Sequence, residues 1–166
     1  MAVTPAVVGQ SPKTKAPRTS DPLMRADMSF SSFRLSRKTV PGKIGRLVNT
    51  GCDDESVLCE WQSKEGTRHI LTAGIVAIKI VDAADMEGKP ISALGIGVAR
   101  QRGDVMARVR SFLPEIEIDC LEAGDAGEGD GISSCGGAFA SGPWFKLLFD
   151  RKGQLISARI DAFQID

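Results

Sequence analysis

The chain has 166 residues, 42% of them hydrophobic, with equal numbers of basic and acidic side chains. That length fits one domain, or two small repeats sharing a core, and the apolar share is that of a globular protein. Zero net charge argues against broad electrostatic binding to nucleic acid, and the longest apolar run, Ile75 to Val81, is too short for a membrane span and contains Lys79.

Residues 1–27 read as a disordered tail. Pro5, Pro12, Pro17 and Pro22 interrupt any regular element, and Lys13, Lys15 and Arg18 make it mildly basic. Met1 to Gln10 lacks the basic start and apolar core of a signal peptide, so either the chain is cytoplasmic or its export signal lies upstream of this start. Met28 to Leu35 is short and mixed. Pro41 to Asn49 reads as a helix, with Pro41 in its first turn, Ile44, Leu47 and Val48 on one face, and Gly51 as its stop. Strands follow over Val57–Gln62, Arg68–Thr72 and Ile75–Val81.

Ala84 to Pro90 divides the chain into two halves, 28–84 and 85–166. Gln101 to Leu113 reads as the second helix, with Val105, Val109 and Phe112 at helical spacing and Pro114 ending it. Glu115 to Leu121 reads as a short strand, and Glu122 to Gly142 as a long glycine-rich loop. The clearest element is the last. Phe145, Leu147 and Phe149 alternate with Trp144, Lys146 and Leu148. Asp150 to Gly153 supplies a turn with positive φ at Gly153. Ile156, Ala158 and Ile160 then alternate against Leu155, Ser157 and Arg159, completing a hairpin.

A shift of 79 residues lays His69–Ala83 on this hairpin. Gly74 falls on Gly153, Val76 on Leu155, Val81 on Ile160, Asp82 on Asp161 and Ala83 on Ala162. The expected fold is therefore α+β. It is an antiparallel sheet with helices packed on one face, built either as two tandem helix-plus-hairpin repeats or with two hairpins of one sheet that match by chance.

Four cysteines fall two to each half, Cys52 with Cys59 and Cys120 with Cys135. Even number and local pairing suggest two disulfides and an oxidising, periplasmic or exported setting. Reduced thiols in a cytoplasmic protein are the second reading. Zinc is the third, weakened by the absence of a C-x2-C spacing.

The stretch LGIGVARQRGDVMARV, a cysteine-bearing loop and WFKLLFDRKGQLISARI together resemble the SmpA/OmlA-like superfamily. It contains the outer-membrane assembly lipoprotein BamE and the tandem-repeat β-lactamase inhibitor proteins. The resemblance covers roughly residues 91–163. It implies a small α+β, non-enzymatic module that binds another protein, with no partner named. The lipobox cysteine of a BamE-type lipoprotein is not present in this chain, so no lipid anchor is implied.

The remaining chemistry is sparse. Gly95-Ile96-Gly97 before a helix hints at a dinucleotide loop, but Arg100 stands where a third glycine belongs. Glu122, Asp125, Glu128 and Asp130 offer oxygens to calcium without the EF-hand register, and read more readily as a solvated loop. His69 is a general-base candidate without a neighbouring carboxylate in sequence. Ser133-Ser134-Cys135 lacks a nucleophile elbow. Trp61 and Trp144, one per half, are contact aromatics or sheet packing. The leading reading is a protein-binding module with Trp61, His69 and Trp144 at its contact surface, needing no cofactor and no metal. Its rivals are a small enzyme or pocket protein using His69 and the acidic loop, and an assembly component with the N-terminal segment as an arm.

Overall fold

The computed structural model describes residues 21–35, 44–48, 59–72, 75–125 and 127–162. Among the described residues two helices, α1 (Pro22–Phe30) and α2 (Arg102–Phe112), accompany eight strands. The strands are β1 (Arg46–Leu47), β2 (Cys59–Gln62), β3 (Thr67–Thr72), β4 (Ile75–Asp82), β5 (Asp119–Leu121), β6 (Ser133–Ala138), β7 (Trp144–Phe149) and β8 (Leu155–Asp161). They form one antiparallel sheet in the order β1-β2-β3-β4-β8-β7-β6-β5. The α+β expectation holds, with both helices packed into one core on one face of the sheet. No helix among the described residues is long and apolar enough to cross a membrane.

Of the helix expected over 41–49, Ile44 is helical, while Arg46–Leu47 pair with β2 as an edge strand; residues 41–43 and 49 lie outside the described residues. Helix α1 begins at Pro22, within the segment expected to be disordered. Asp21 caps it, its carboxylate accepting from the Leu23 N–H at 3.0 Å, and Pro22 supplies a preset φ in the first turn. Ala26, Asp27 and Phe30 then turn one face into the core. Pro22 is thus a helix start and not a breaker. Residues 1–20 lie outside the described residues.

A second correction concerns the glycine-rich loop, whose end is strand β6. Ser133-Ser134-Cys135-Gly136-Gly137-Ala138 has little strand propensity of its own, and its neighbours β5 and β7 hold it on both sides. Two of its glycines are required by close approach. A Cβ on Gly136 would lie 2.3 Å from the Phe145 carbonyl oxygen, and one on Gly137 would lie 2.6 Å from that of Glu117. In the last hairpin Gly153 takes φ 72°, as its turn demands. A register shift between Leu148 and Phe149 changes the expected alternation in β8: Leu155, Ala158 and Ile160 are buried in the core, while Ile156 is exposed.

The strand order is a palindrome about β4 and β8, and the register is symmetric too. Ile80 of β4 pairs with Arg159 of β8, its own position plus 79. The two hairpins shift register at corresponding points, Ile70/Leu71 and Leu148/Phe149, 78 residues apart. The buried helix residues correspond as well: Val105, Met106 and Val109 each stand 79 positions beyond Ala26, Asp27 and Phe30.

The connection between halves is pinned by Arg100. Its guanidinium donates to the carbonyls of Met86, Lys89, Gly97 and Ala99. The glycines of this stretch therefore build a turn against Ile91, with no parallel βαβ unit around it, and the dinucleotide hint falls away.

Gly136→Val should displace β6 from β7, because the added side chain meets backbone and not a movable side-chain end. We expect a loss of at least about 2 kcal/mol by urea unfolding. The exposed Gly103, in the first turn of α2 with open space around its Cβ position and no positive φ, supplies the control site for chain-wide effects.

Candidate functional site

The sheet has two unlike faces. The inner face carries Trp61 of β2, His69 of β3, Lys79 of β4 and the alternate apolar residues of β7 and β8, all against the helices. The outer face carries the residues between them. There a transverse row in continuous register crosses the strands and includes Arg46, Arg68, Ile80, Arg159 and Lys146. The adjoining row brings Ile70, Ile78, Asp161 and Trp144 side by side.

Trp144 is the centre of the outer face in the second half. The Lys146 ammonium lies 5.4 Å from its ring centroid and the Arg159 guanidinium 5.1 Å. Both cations hold the indole in place electrostatically. Arg159 also binds the Asp161 carboxylate, and Lys146 pairs with Glu128 of the β5–β6 loop at 2.5 Å. In the first half, Arg68 bridges Glu60 at 3.0 Å and Asp82 at 2.7 Å. Ile70, Ala77, Ile78 and Ile80 form a small apolar cluster beside it that contains no helix residue.

His69 stands apart from this surface. It is fully buried on the inner face, opposite Lys79 across the β3–β4 pair, with the Phe33 ring edge-on at 6.4 Å. Burial, and then the Lys79 charge, pulls its pKa down to about 4, so the ring is neutral at pH 7. Neither ring nitrogen has a hydrogen-bond partner among the described residues. Lys79 is fully buried as well. Its ammonium meets the Asp27 carboxylate of α1 at 2.5 Å and donates to the carbonyls of Asp27 and Ser31 at 3.3 and 3.5 Å. The other Asp27 oxygen accepts from the Leu35 N–H at 3.0 Å. Desolvation raises the Asp27 pKa and lowers that of Lys79, each opposed by the partner's charge.

The sequence-derived residues are thus divided between faces. Trp61 and His69 are cross-strand neighbours on the inner face, whereas Trp144 is on the outer one. His69 and the acidic loop do not meet. From β3 to β6 is four strand spacings, about 19 Å at ~4.8 Å each. Glu122 binds Arg102 and Glu128 binds Lys146. Among the described residues no group of three or more His, Cys, Asp or Glu is placed to hold a metal ion. A groove of about 720 Å³ lies between the end of α1 and the β2–β3 turn, lined in part by Ser29, Phe33, Thr67 and Met86; neither His69 nor the acidic loop lines it.

Cys120 and Cys135 face each other directly across β5 and β6 and are disulfide-bonded, with Cα atoms 4.1 Å apart. Cys59 is also disulfide-bonded, and its expected partner Cys52 lies outside the described residues. Sequence reasoning missed Asp27, Lys79 and Arg159. Lys79 carried a signal, as a lone charge in an apolar run on the central strand. The Asp27 signal was hidden because the start of α1 was read as part of a disordered tail.

Comparison with protein-family models, curated proteins and solved structures finds no match to this chain.

Asp27→Ala removes the only carboxylate facing a fully buried ammonium among the described residues. Denaturant unfolding should show a loss of about 3–5 kcal/mol. Adding Lys79→Ala to that variant should recover part of the loss, since no uncompensated charge is then buried.

Proposed function

We infer that the chain is a non-enzymatic protein-binding module that receives its partner on the outer face of the sheet. The observation that carries this reading is the composition of that face. A half-buried tryptophan is held between two cations, beside paired charges and an aliphatic cluster, and no helix residue belongs to that cluster. Aromatic and arginine side chains on a rigid platform are the groups that dominate binding energy at protein interfaces. Central strands fix their spacing, and the disulfide ties the flanking strand β5 to β6.

The reading extends to architecture. Among the described residues each half carries a helix, α1 or α2, followed by a four-strand meander, and the halves are repeats of a single unit. Palindromic strand order, symmetric central register and 79-residue spacing of the buried helix residues support it. It is in keeping with the resemblance to the SmpA/OmlA-like superfamily, which enters here as a proposal about plan and partner class.

A photo-crosslinking amino acid placed at Leu148, on the outer face, tests the surface in cells of the source organism. We expect one discrete adduct, suppressed by Trp144→Ala in protein whose thermal midpoint is unchanged. The same probe at Val98, 71% exposed in the loop before α2, should give none. Adducts at Val98 with none at Leu148, or adducts at Leu148 indifferent to Trp144, would overturn the reading.

A further inference from the structure

The two halves close the seam between helix and sheet with different chemistry. In the first half the seam holds Asp27, Lys79 and His69, all buried. In the second, Met106 stands 79 positions beyond Asp27 and Ala158 stands 79 beyond Lys79. Leu147 faces Ala158 across β7–β8 as His69 faces Lys79 across β3–β4. These three counterparts are apolar and buried. The same backbone plan is therefore built once with charges and once without, inside one chain. Packing does not demand the charges, and a buried ion pair is in general no more stable than apolar groups of similar volume.

We propose that Asp27, Lys79 and His69 form an acid-sensitive latch, which loosens α1 from the sheet on acidification while α2 stays docked. The latch spans the seam. Lys79 reaches from the central strand to the carboxylate of Asp27 and to two carbonyls at the end of α1. His69 lies beside it on β3 and is shielded by Phe33. Among the described residues four charged groups bear on this cluster. Asp27 comes from α1, Arg34 from the segment after it, Lys79 from β4 and Glu65 from the β2–β3 turn.

The sign follows from the docked and released states. Docking lowers the His69 pKa from 6.5 to about 4, so its contribution to docking is complete above pH 6.5 and is lost as pH falls toward 4. Asp27 acts in the opposite sense, because its raised pKa makes the docked state the better proton acceptor. Its protonation also removes the carboxylate that Lys79 faces. The response is therefore read against a variant without the histidine.

Hydrogen exchange of the full chain, corrected for intrinsic rates, is measured at about pH 7 and about pH 5. Protection of the α1 amides should fall by about tenfold or more relative to those of α2. In His69→Leu, which installs the second half's residue, that difference should vanish. Loss shared equally by α1 and α2, no change with pH, or an unchanged response in His69→Leu would overturn the latch. The chain has one histidine, so its imidazole NMR signals give a second readout on unaltered protein. A titration midpoint well below 6.5 is expected, and one at 6.5 or above would contradict a docked, neutral ring.

Discussion

Everything in this structure hangs on the antiparallel pairing of β4 with β8. These two strands join meanders of four strands each, and without that seam the sheet divides into halves with one long edge apiece. Such edges would expose unpaired backbone groups and invite aggregation. The pairing also sets which residues share a face. With Ile80 opposite Arg159, the register directs Lys79, Ala158 and Ile160 inward and leaves Ile80 and Arg159 outward. A slip of one residue would reverse all of them.

From that register follow the two chemistries of the inner face. The second half is conventional, with Phe145, Leu147, Phe149 and Ile160 meeting Val105 and Val109 of α2 in a largely apolar seam, at whose edge Arg102 donates to the buried Ser133 hydroxyl. The first half places an ammonium, a carboxylate and a neutral imidazole where water has no access. Their stability is conditional. The Asp27 carboxylate and the Lys79 ammonium are tolerable because of each other, so removing one leaves the other unpaired. This asymmetry makes α1 the more condition-dependent helix and gives the buried trio a role beyond packing.

The sequence made the α+β class and the last hairpin legible for a physical reason. Trp144 to Phe149 alternates cleanly, and Asp150 to Gly153 has only one economical conformation. The 79-residue correspondence between the halves was legible only in part. The shift matched the hairpins, but the first-half helix was expected over 41–49 and α1 was read as tail, so the helix correspondence was hidden. Pro22 after Asp21 is a helix-start signal, and reading it as a breaker cost that inference. Strand β6 could not be read at all, because Gly136 and Gly137 are there for close approach of neighbouring backbone, a tertiary demand without local pattern. The candidate site was half legible. Trp144 stood in the sequence as a contact aromatic or a sheet-packing residue and lies on the outer face, while the cations that hold it come from strand register. Trp61 and His69 alternate as strand residues should, but nothing local indicates which face is covered.

Function in this account rests on the outer face, and the outer face exists only if the central register is as described. Interstrand backbone NOEs in the intact protein test it most directly. The account predicts cross-strand contacts of Ile80 with Arg159, Lys79 with Ile160 and Val81 with Ala158. Contacts displaced by one residue, or β4 contacts to a strand other than β3 and β8, would contradict both the symmetric seam and the surface built on it.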